Sequence, residues 1–264
     1  MEARKVGSWL RWPETAGPVA ATLVLLHHAG GGASAYAQWS ALMPPSVQCC
    51  IVQLPGRENR LKEAPFREMV ELLDILDPEL NPHLVTPYYV FGHSMGARIA
   101  FALAHRWRRS GTDLPRRLFL SATPAPAVSD WLKVHEMSDA ALVEHIARLG
   151  GLPQDLLDHS GLIATLLPTI RADLRLAERA TLVFDAPLEC SISAFAGSDD
   201  PIAGPERIRP WGRETTREFT LRTITGGHFF IRDRLSEVVL AVVEDMAGDL
   251  SLSERGMAVQ EWQQ

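Results

Sequence analysis

One pentapeptide constrains this 264-residue chain more than anything else in it. Gly92-His93-Ser94-Met95-Gly96 follows the aromatic and β-branched run Tyr88-Tyr89-Val90-Phe91. It precedes a helix-period run with Ile99, Phe101, Leu103 and Trp107. Strand, sharp turn and helix around G-x-S-x-G form the context of a nucleophile elbow, in which a serine is presented on a strained turn. Gly92 and Gly96 suit it because strand and helix must approach closely there. Ala97 and Ala100 then let the helix lie near the sheet. The turn exposes Ser94 Oγ at a helix N-terminus, whose partial positive charge favours a developing anion. Without that context the pentapeptide would be a Gly-rich turn with a bystander serine, and the flanking elements argue against that.

The rest of the chain supplies the sheet that such an elbow needs. Val6 to Trp12 reads as a short first strand, and Thr22 to His27 as a strand buried on both faces, emptying into His28-Ala29-Gly30-Gly31-Gly32-Ala33-Ser34. A helix over Ala35 to Leu42 follows, then a strand from Val47 to Leu54 that ends in Pro55-Gly56-Arg57-Glu58-Asn59-Arg60. Phe66 to Leu80 is helical in pattern, and Arg117 to Ser121 is the strand after the nucleophile helix. Ser191 to Ala196 closes in Gly197-Ser198-Asp199-Asp200-Pro201, with a helix expected over Glu206 to Trp211. Phe219 to Ile224 closes in Thr225-Gly226-Gly227-His228, before a last helix from Leu235 to Met246. Alternating strands and helices predict a mostly parallel sheet with helices on both faces, the α/β-hydrolase class given the elbow. Function in such sheets gathers beyond the carboxyl ends of the strands.

Between Pro124 and Leu188 the alternation stops. Met137 and Leu142 flank Ser138 as a hydrophobic staple around an N-cap, and that helix should end at Gly150-Gly151. Ser160 to Phe184 continues with Ile163, Leu166 or Leu167, Ile170, Leu174 and Ala177 on one face, and Pro168 should kink or divide it. The expected organisation is a core of residues 1–124 and 188–248, a helical lid inserted at 125–187, and a frayed polar tail at 249–264. Connecting helices packed on the core are the alternative to a lid.

Composition narrows the function. With 46% hydrophobic and 22% charged residues the chain is ordinary globular protein, and a net charge of −6 gives no support for a general nucleic-acid surface. The opening MEARKVGSWLRWPE lacks the apolar run of a signal peptide, and no later stretch reaches membrane-spanning length. Cys49, Cys50 and Cys190 form neither a disulfide framework nor a metal spacing. The expectation is a soluble, reduced, cytoplasmic monomer that binds neither nucleic acid, membrane nor metal.

A serine needs a base, and the base needs an orienting acid. Of nine histidines, only His228 sits in a Gly-preceded loop just past the final strand. Asp199 and Asp200 both close a strand at the same edge. Asp200 is preferred as the acid, because Pro201 fixes the turn behind it. The order Ser, Asp, His is the one expected on this fold. Oxyanion donors should be the backbone N–H of Met95, after the nucleophile, and that of Ala29 in the early loop. Gly30-Gly31-Gly32 as a phosphate cradle fails both G-x-x-x-x-G-K-[ST] and G-x-G-x-x-G.

Taken together, His27-His28-Ala29-Gly30-Gly31-Gly32, Leu54-Pro55-Gly56-Arg57-Glu58, the Ser94 pentapeptide, Leu167-Pro168-Thr169-Ile170-Arg171-Ala172-Asp173 and Gly226-Gly227-His228-Phe229-Phe230 resemble the discrete type II thioesterases of polyketide and nonribosomal peptide synthetase pathways. G-x-S-x-G fits any α/β-hydrolase; P-G-R-E with L-P-x-x-R-A-D is much narrower. The resemblance implies an editing hydrolase of antibiotic-type biosynthesis that clears stalled or wrong acyl groups from the phosphopantetheine arm of acyl or peptidyl carrier proteins. It implies a Ser94–Asp200–His228 triad and no cofactor of the enzyme's own. It also implies that the lid shapes an acyl chamber. The apolar helical faces of 125–187, with Gly150-Gly151 as a flexible joint, lead to the expectation that the lid moves and that its inner face near Ile163, Leu167 and Ile170 lines that chamber. Ser191 stands where the family more often has proline, and Thr181 near where an aromatic is common. A generic carboxylesterase or lipase-like hydrolase, and a non-catalytic carrier-binding partner, are the alternatives.

An acidic enzyme must attract an acidic carrier through local patches. Arg57, Arg60 and Lys62 on the loop beside Ser94 are the expected contact for a pantetheine phosphate. Arg106, Arg108, Arg109, Arg116 and Arg117 form a second cluster, with Arg108 and Arg109 better read as a solvated helix end.

Overall fold

Parallel strands cannot be joined by tight hairpins, so each crossover in this chain runs through a helix or a long loop. A computed structural model describes residues 9–85, 87–128, 133–152, 159–180, 184 and 186–253. Its strands are β1 (Leu10–Arg11), β2 (Ala21–Leu26), β3 (Val47–Val52), β4 (Tyr88–His93), β5 (Arg117–Ser121), β6 (Ser191–Gly197) and β7 (Phe219–Ile224). They form one sheet in the order β1-β3-β2-β4-β5-β6-β7. β1 runs antiparallel to β3, with Leu10 opposite Val52, and the other neighbours are parallel. The helices are α1 (Trp39–Leu42), α2 (Met69–Leu80), α3 (Met95–Ser110), α4 (Asp139–Arg148), α5 (Ser160–Arg179), α6 (Pro205–Ile208), α7 (Phe230–Asp233) and α8 (Leu235–Ser253). Among the described residues no helix is long and apolar enough to cross a membrane.

The period-2 alternation of the strands divides the core between the two faces. Val24, Leu26, Tyr88 and Val90 pack with Leu72, Leu76, Ile99, Leu103 and Trp107 of α2 and α3. Leu23, Leu25, Tyr89 and Phe91 face the other way, onto Trp39, Val238, Val242 and Met246. All three cysteines are buried and free.

Several elements depart from expectation. Of the first strand, Leu10–Arg11 pairs with β3, and the chain reaches Pro13, which has no N–H to donate, two residues later. The helix expected over Ala35 to Leu42 is a 3-10 turn, Ala33–Tyr36, followed by the single turn of α1. Buried side chains dictate the break: Tyr36 donates its hydroxyl to Leu26 O at 2.8 Å, and Trp39 packs on Phe91 with ring centroids 4.7 Å apart. α2 starts at Met69, since Phe66 is held against Trp9 by chain that is still extended at Glu68. α5 passes through Pro168 without dividing and ends at Arg179 rather than Phe184. Pro168 lies on the exposed side, where water can replace the lost hydrogen bond. α8 carries the helix past residue 248 to Ser253, and Asp249 accepts from Arg117 Nε at 2.9 Å and Nη2 at 2.6 Å. Ser191 donates its N–H to Arg116 O at 3.3 Å, a bond that the proline of the resembled family could not make. Thr181 lies outside the described residues, as do 254–264.

Between β5 and β6 the described chain forms α4 and α5 with no strand. Ser138 caps α4, accepting the Ala141 N–H at 3.4 Å. α5 packs across the nucleophile helix α3.

The closest backbone approach in this frame is at the elbow. A Cβ on Gly96 would stand 2.0 Å from Leu26 O, and one on Gly92 would stand 2.2 Å from Gly96 O. Gly96→Ala is therefore expected to destabilise by about 3 kcal/mol or more, at or above the upper end of overpacking costs, because the opposing atom is backbone and cannot turn aside. Urea unfolding measures it.

Candidate active site

Three strand ends deliver three side chains to one point. Ser94 follows β4 at φ 55, ψ −113, a conformation that costs a non-glycine residue about 1–3 kcal/mol. Its N–H donates to Ser121 O at 2.7 Å, which pins the turn to the end of β5. His228, after β7, stands with Nε2 3.2 Å from Ser94 Oγ and Nδ1 2.8 Å from Asp200 Oδ2. A carboxylate only accepts, so the Nδ1 proton points to Asp200 and the Nε2 lone pair to the serine hydroxyl. Asp200, after β6, is itself oriented: Oδ1 accepts the N–H of Ile202 at 2.9 Å and of Ala203 at 3.1 Å. Burial alone would raise its pKa, but the His228 bond and charge and these two N–H groups outweigh burial and hold it below the usual range. Asp199 is exposed and accepts from its neighbour Ser198 Oγ at 2.9 Å.

The other nearby histidines are poor bases. His28 is pushed down to about 4, first by burial and then by the charges of His228, Arg232 and Arg57. Burial, then the charges of His228 and His28, holds His93 well below its ordinary value, and its Nδ1 lies 2.9 Å from Ser121 Oγ. Both stay neutral at pH 7 and pack as rings around the site, His93 with its centroid 5.6 Å from that of His228.

Ser94 and His228 open on a cavity of about 700 Å³. Ala29, Gly30 and Met95 border it beside the serine, while Val134, Leu166, Ile170, Leu174 and Ala177 of the inserted segment form its far wall. Of the three inserted residues expected on that wall, only Ile170 lies there. Leu167 is buried with Val134 and Leu142 in a separate small core, and Ile163 packs against that core. One residue is about 100° of helix rotation, so the face toward the serine is Leu166, Ile170, Leu174 and Ala177, while Ile163 and Leu167 turn toward α4.

The largest correction concerns Arg57 and Arg60, expected at the surface for a phosphate. Both are buried. Arg57 Nη1 and Nη2 reach Asp173 Oδ2 and Oδ1 of α5 at 2.5 and 2.9 Å, and its Nε and Nη2 donate to Pro55 O. Arg60 pairs with Glu63 at 2.7 Å, donates to Gln53 O at 2.8 Å and lies over the Trp9 ring, 4.2 Å from its centroid. The loop turns its guanidiniums inward because burial supplies paired acceptors that compensate the desolvation. Lys62 is exposed. In the second cluster, Arg106 pairs with Asp74 and Asp77, Arg117 with Glu218 and Asp249, and Arg108 donates to Ala186 O and Pro187 O.

Asp173 is the residue that sequence reasoning passed over. It also accepts the Gly30 N–H at 2.8 Å, and Thr169, one turn earlier, donates to Gly56 O at 2.9 Å. The signal was present: an acid in one motif and an arginine in another, both on segments that the topology brings to one edge. Gln53 braces the same loops, accepting the Ala33 N–H at 2.7 Å. Arg98, buried in α3 four residues after Ser94, lines the cavity with Glu178. A charge within an otherwise apolar helix run was its signal.

A parallel α/β-hydrolase sheet with serine, histidine and aspartate linked at its strand ends defines a serine hydrolase. The thioesterase domain family matches residues 21–246. The gramicidin S biosynthesis protein GrsT of Aneurinibacillus migulanus is 34% identical over 221 residues, 82% of this chain and 85% of its own. Among solved structures, the type II thioesterase BorB from the borrelidin biosynthetic cluster is 36% identical with a TM-score of 0.79, over 90% of this chain and 96% of that one. YbtT, a type II thioesterase from the yersiniabactin NRPS/PKS pathway, is 26% identical with a TM-score of 0.77, over 89% and 97%. The chain belongs to the thioesterase family and is a hydrolase that acts on thioesters.

Arg57→Ala is expected to destabilise the fold by about 3–5 kcal/mol, because it strands the buried Asp173 charge, where a surface arginine would cost within about 0.5 kcal/mol. Equilibrium unfolding in urea, where ionic strength stays fixed, distinguishes the two.

Proposed function

We propose that this thioesterase clears stalled or incorrect acyl groups from the phosphopantetheine arm of acyl or peptidyl carrier proteins, through an acyl-enzyme on Ser94. The observation that carries the mechanism is the unbroken run Asp200–His228–Ser94 opening on the cavity. His228 Nε2 takes the hydroxyl proton as Ser94 Oγ attacks the thioester carbonyl. The tetrahedral oxyanion is held by the N–H groups of Met95 and Ala29, and a donor of that kind is worth about 3 kcal/mol. As the C–S bond breaks, His228 returns the proton to the departing pantetheine sulfur. Water, deprotonated by the same imidazole, then attacks the acyl-serine, and Ser94 leaves with the proton. Asp200 keeps the imidazole in the needed tautomer and stabilises its cation without taking the proton. These steps use side chains and backbone N–H groups alone, and phosphopantetheine belongs to the substrate.

The carrier reading is supported by the names of the relatives: a gramicidin S biosynthesis protein, and type II thioesterases of the borrelidin biosynthetic cluster and of the yersiniabactin NRPS/PKS pathway. We take residues 125–187 as a lid whose apolar face receives the acyl chain. With Arg57 and Arg60 buried, the cation best placed for the arm's phosphate is Arg148, exposed on α4 at the cavity lining. A generic esterase shares the triad but gains nothing from a remote pantetheine arm, whose binding energy a carrier thioesterase can use in the transition state.

Ser94→Ala is expected to fold and to lose turnover by several orders of magnitude, since triad members act as a unit. Asp200→Asn should cost roughly ten-thousand-fold in kcat and Asp199→Asn far less; equal losses in the two variants would remove Asp200 from the mechanism. One acyl group presented on carrier protein, coenzyme A and a minimal thiol at two ionic strengths tests the substrate. The carrier thioester should have the highest kcat/KM, an advantage that shrinks with salt and with Arg148→Ala. Equal values on all three, or faster oxygen-ester hydrolysis, would leave a generic esterase as the better description.

A further inference from the structure

We propose that Asp173, on the inserted helix α5, is a positioning residue that holds the Ala29 loop in the geometry of an oxyanion hole. The inference rests on the reading of Ala29 N–H as an oxyanion donor, and adds what keeps it in place.

Ala29 sits between two peptide groups that are both held by hydrogen bonds, one within the loop and one from outside it. On its N-terminal side, His28 O accepts the Gly31 N–H at 3.0 Å and lies 2.9 Å from His27 Nδ1. On its C-terminal side, the Gly30 N–H donates to Asp173 Oδ2 at 2.8 Å. Arg57, held by the same carboxylate, donates Nη1 to Gly31 O at 3.2 Å, so the loop is gripped through a donor and an acceptor in succession. Gly30 has φ +75, and a Cβ there would stand 2.8 Å from Ile170 Cγ1, so the loop has been fitted against α5 with no room for a side chain. Thr169 fastens the same stretch of α5 to Gly56.

A bare carboxylate this close to a developing oxyanion would oppose catalysis. Arg57 neutralises it with two parallel hydrogen bonds, so Asp173 supplies direction with little net field. The pair therefore does for the early loop what the helix start at Met95 does for the other donor. A purely structural ion pair would have no need to share Oδ2 between the guanidinium and the amide that follows Ala29.

The test replaces the pair by apolar side chains of similar length, Arg57→Met with Asp173→Leu, since such swaps of buried ion pairs preserve folding. Asp173→Asn serves as the single-site companion, and urea unfolding checks both. With carrier-bound or minimal acyl thioester, kcat for the double variant should fall about 100-fold, the effect of one lost oxyanion donor. KM should stay within about threefold. Affinity for an alkyl boronic acid, which becomes tetrahedral on Ser94, should fall with kcat/KM, while that for a non-hydrolysable thioether analogue should not. A folded double variant with wild-type kcat and boronate affinity would overturn the inference and leave Asp173 structural; so would equal losses for boronate and thioether, which indicate a deformed cavity. Undiminished turnover by Ser94→Ala would instead remove the acyl-enzyme mechanism, and with it the reading on which this inference rests.

Discussion

Everything at this site depends on a contact that contains no side chain. The backbone of Gly96 lies against the end of β2, and Gly92 against the start of α3, at distances that a Cβ would close to 2.0 and 2.2 Å. That contact forces the chain to reverse at Ser94 in a conformation the serine would not choose. The reversal is maintained by the rest of the frame: Ser121 O takes the Ser94 N–H, and α3 is buried along most of its length between the sheet and its neighbours. Strain of one residue is thus balanced against the packing of the helix's buried residues, Met95 to His105 and Trp107. Because the adjacent strands are parallel, their ends and following loops lie side by side, and the aspartate and histidine loops arrive at the same level as the elbow.

Onto this frame the chain adds a segment with no strand among its described residues. α5 gives the cavity its apolar wall through Leu166, Ile170, Leu174 and Ala177, and turns Leu167 toward α4. It also enters the two loops at the active edge through Asp173 and Thr169. A buried ion pair contributes little net stability against the apolar residues that could replace it. Its value here is directional, since Arg57 and Asp173 between them fix backbone atoms of residues 30, 31 and 55. One helix is thereby both wall and brace. Motion of the insertion that preserves the site must leave residues 169–173 in place.

How much of this could be read from the sequence follows from the kind of signal each feature emits. Buried parallel strands announce themselves as apolar runs, and the elbow by glycines with one physical reason to be there, so sheet and nucleophile turn were legible. Ser94, Asp200 and His228 stand one, three and four residues after parallel strands, and strand direction brings their loops to one edge. Ile163 and Leu167 face α4 while Leu166 faces the cavity, because periodicity fixes a stripe on a helix, whereas a single step of rotation decides which neighbour the stripe meets. Arg57 and Arg60 differ from expectation because arginine is read as surface by default, and only three-dimensional structure shows the buried Asp173 and the partly exposed Glu63 as their partners. Pro168 signals a break, yet its position on the exposed side of α5 lets the helix continue.

The bond from Gly30 to Asp173 joins residues 143 apart in the chain, and that from Arg57 joins residues 116 apart. Contacts so distant carry a large loop-closure cost that is repaid only after much of the sheet has assembled. The nucleophile turn, by contrast, is made of neighbours: a strand, the single residue Ser94 and a helix. During synthesis the ribosome releases the elbow long before it releases α5. The serine is therefore presented early, on a scaffold whose oxyanion loop still lacks its bond to Asp173. A chain released before α5 would carry its nucleophile without that brace and without Asp200 and His228, which follow in the sequence, so reactivity would arrive with the last stages of folding.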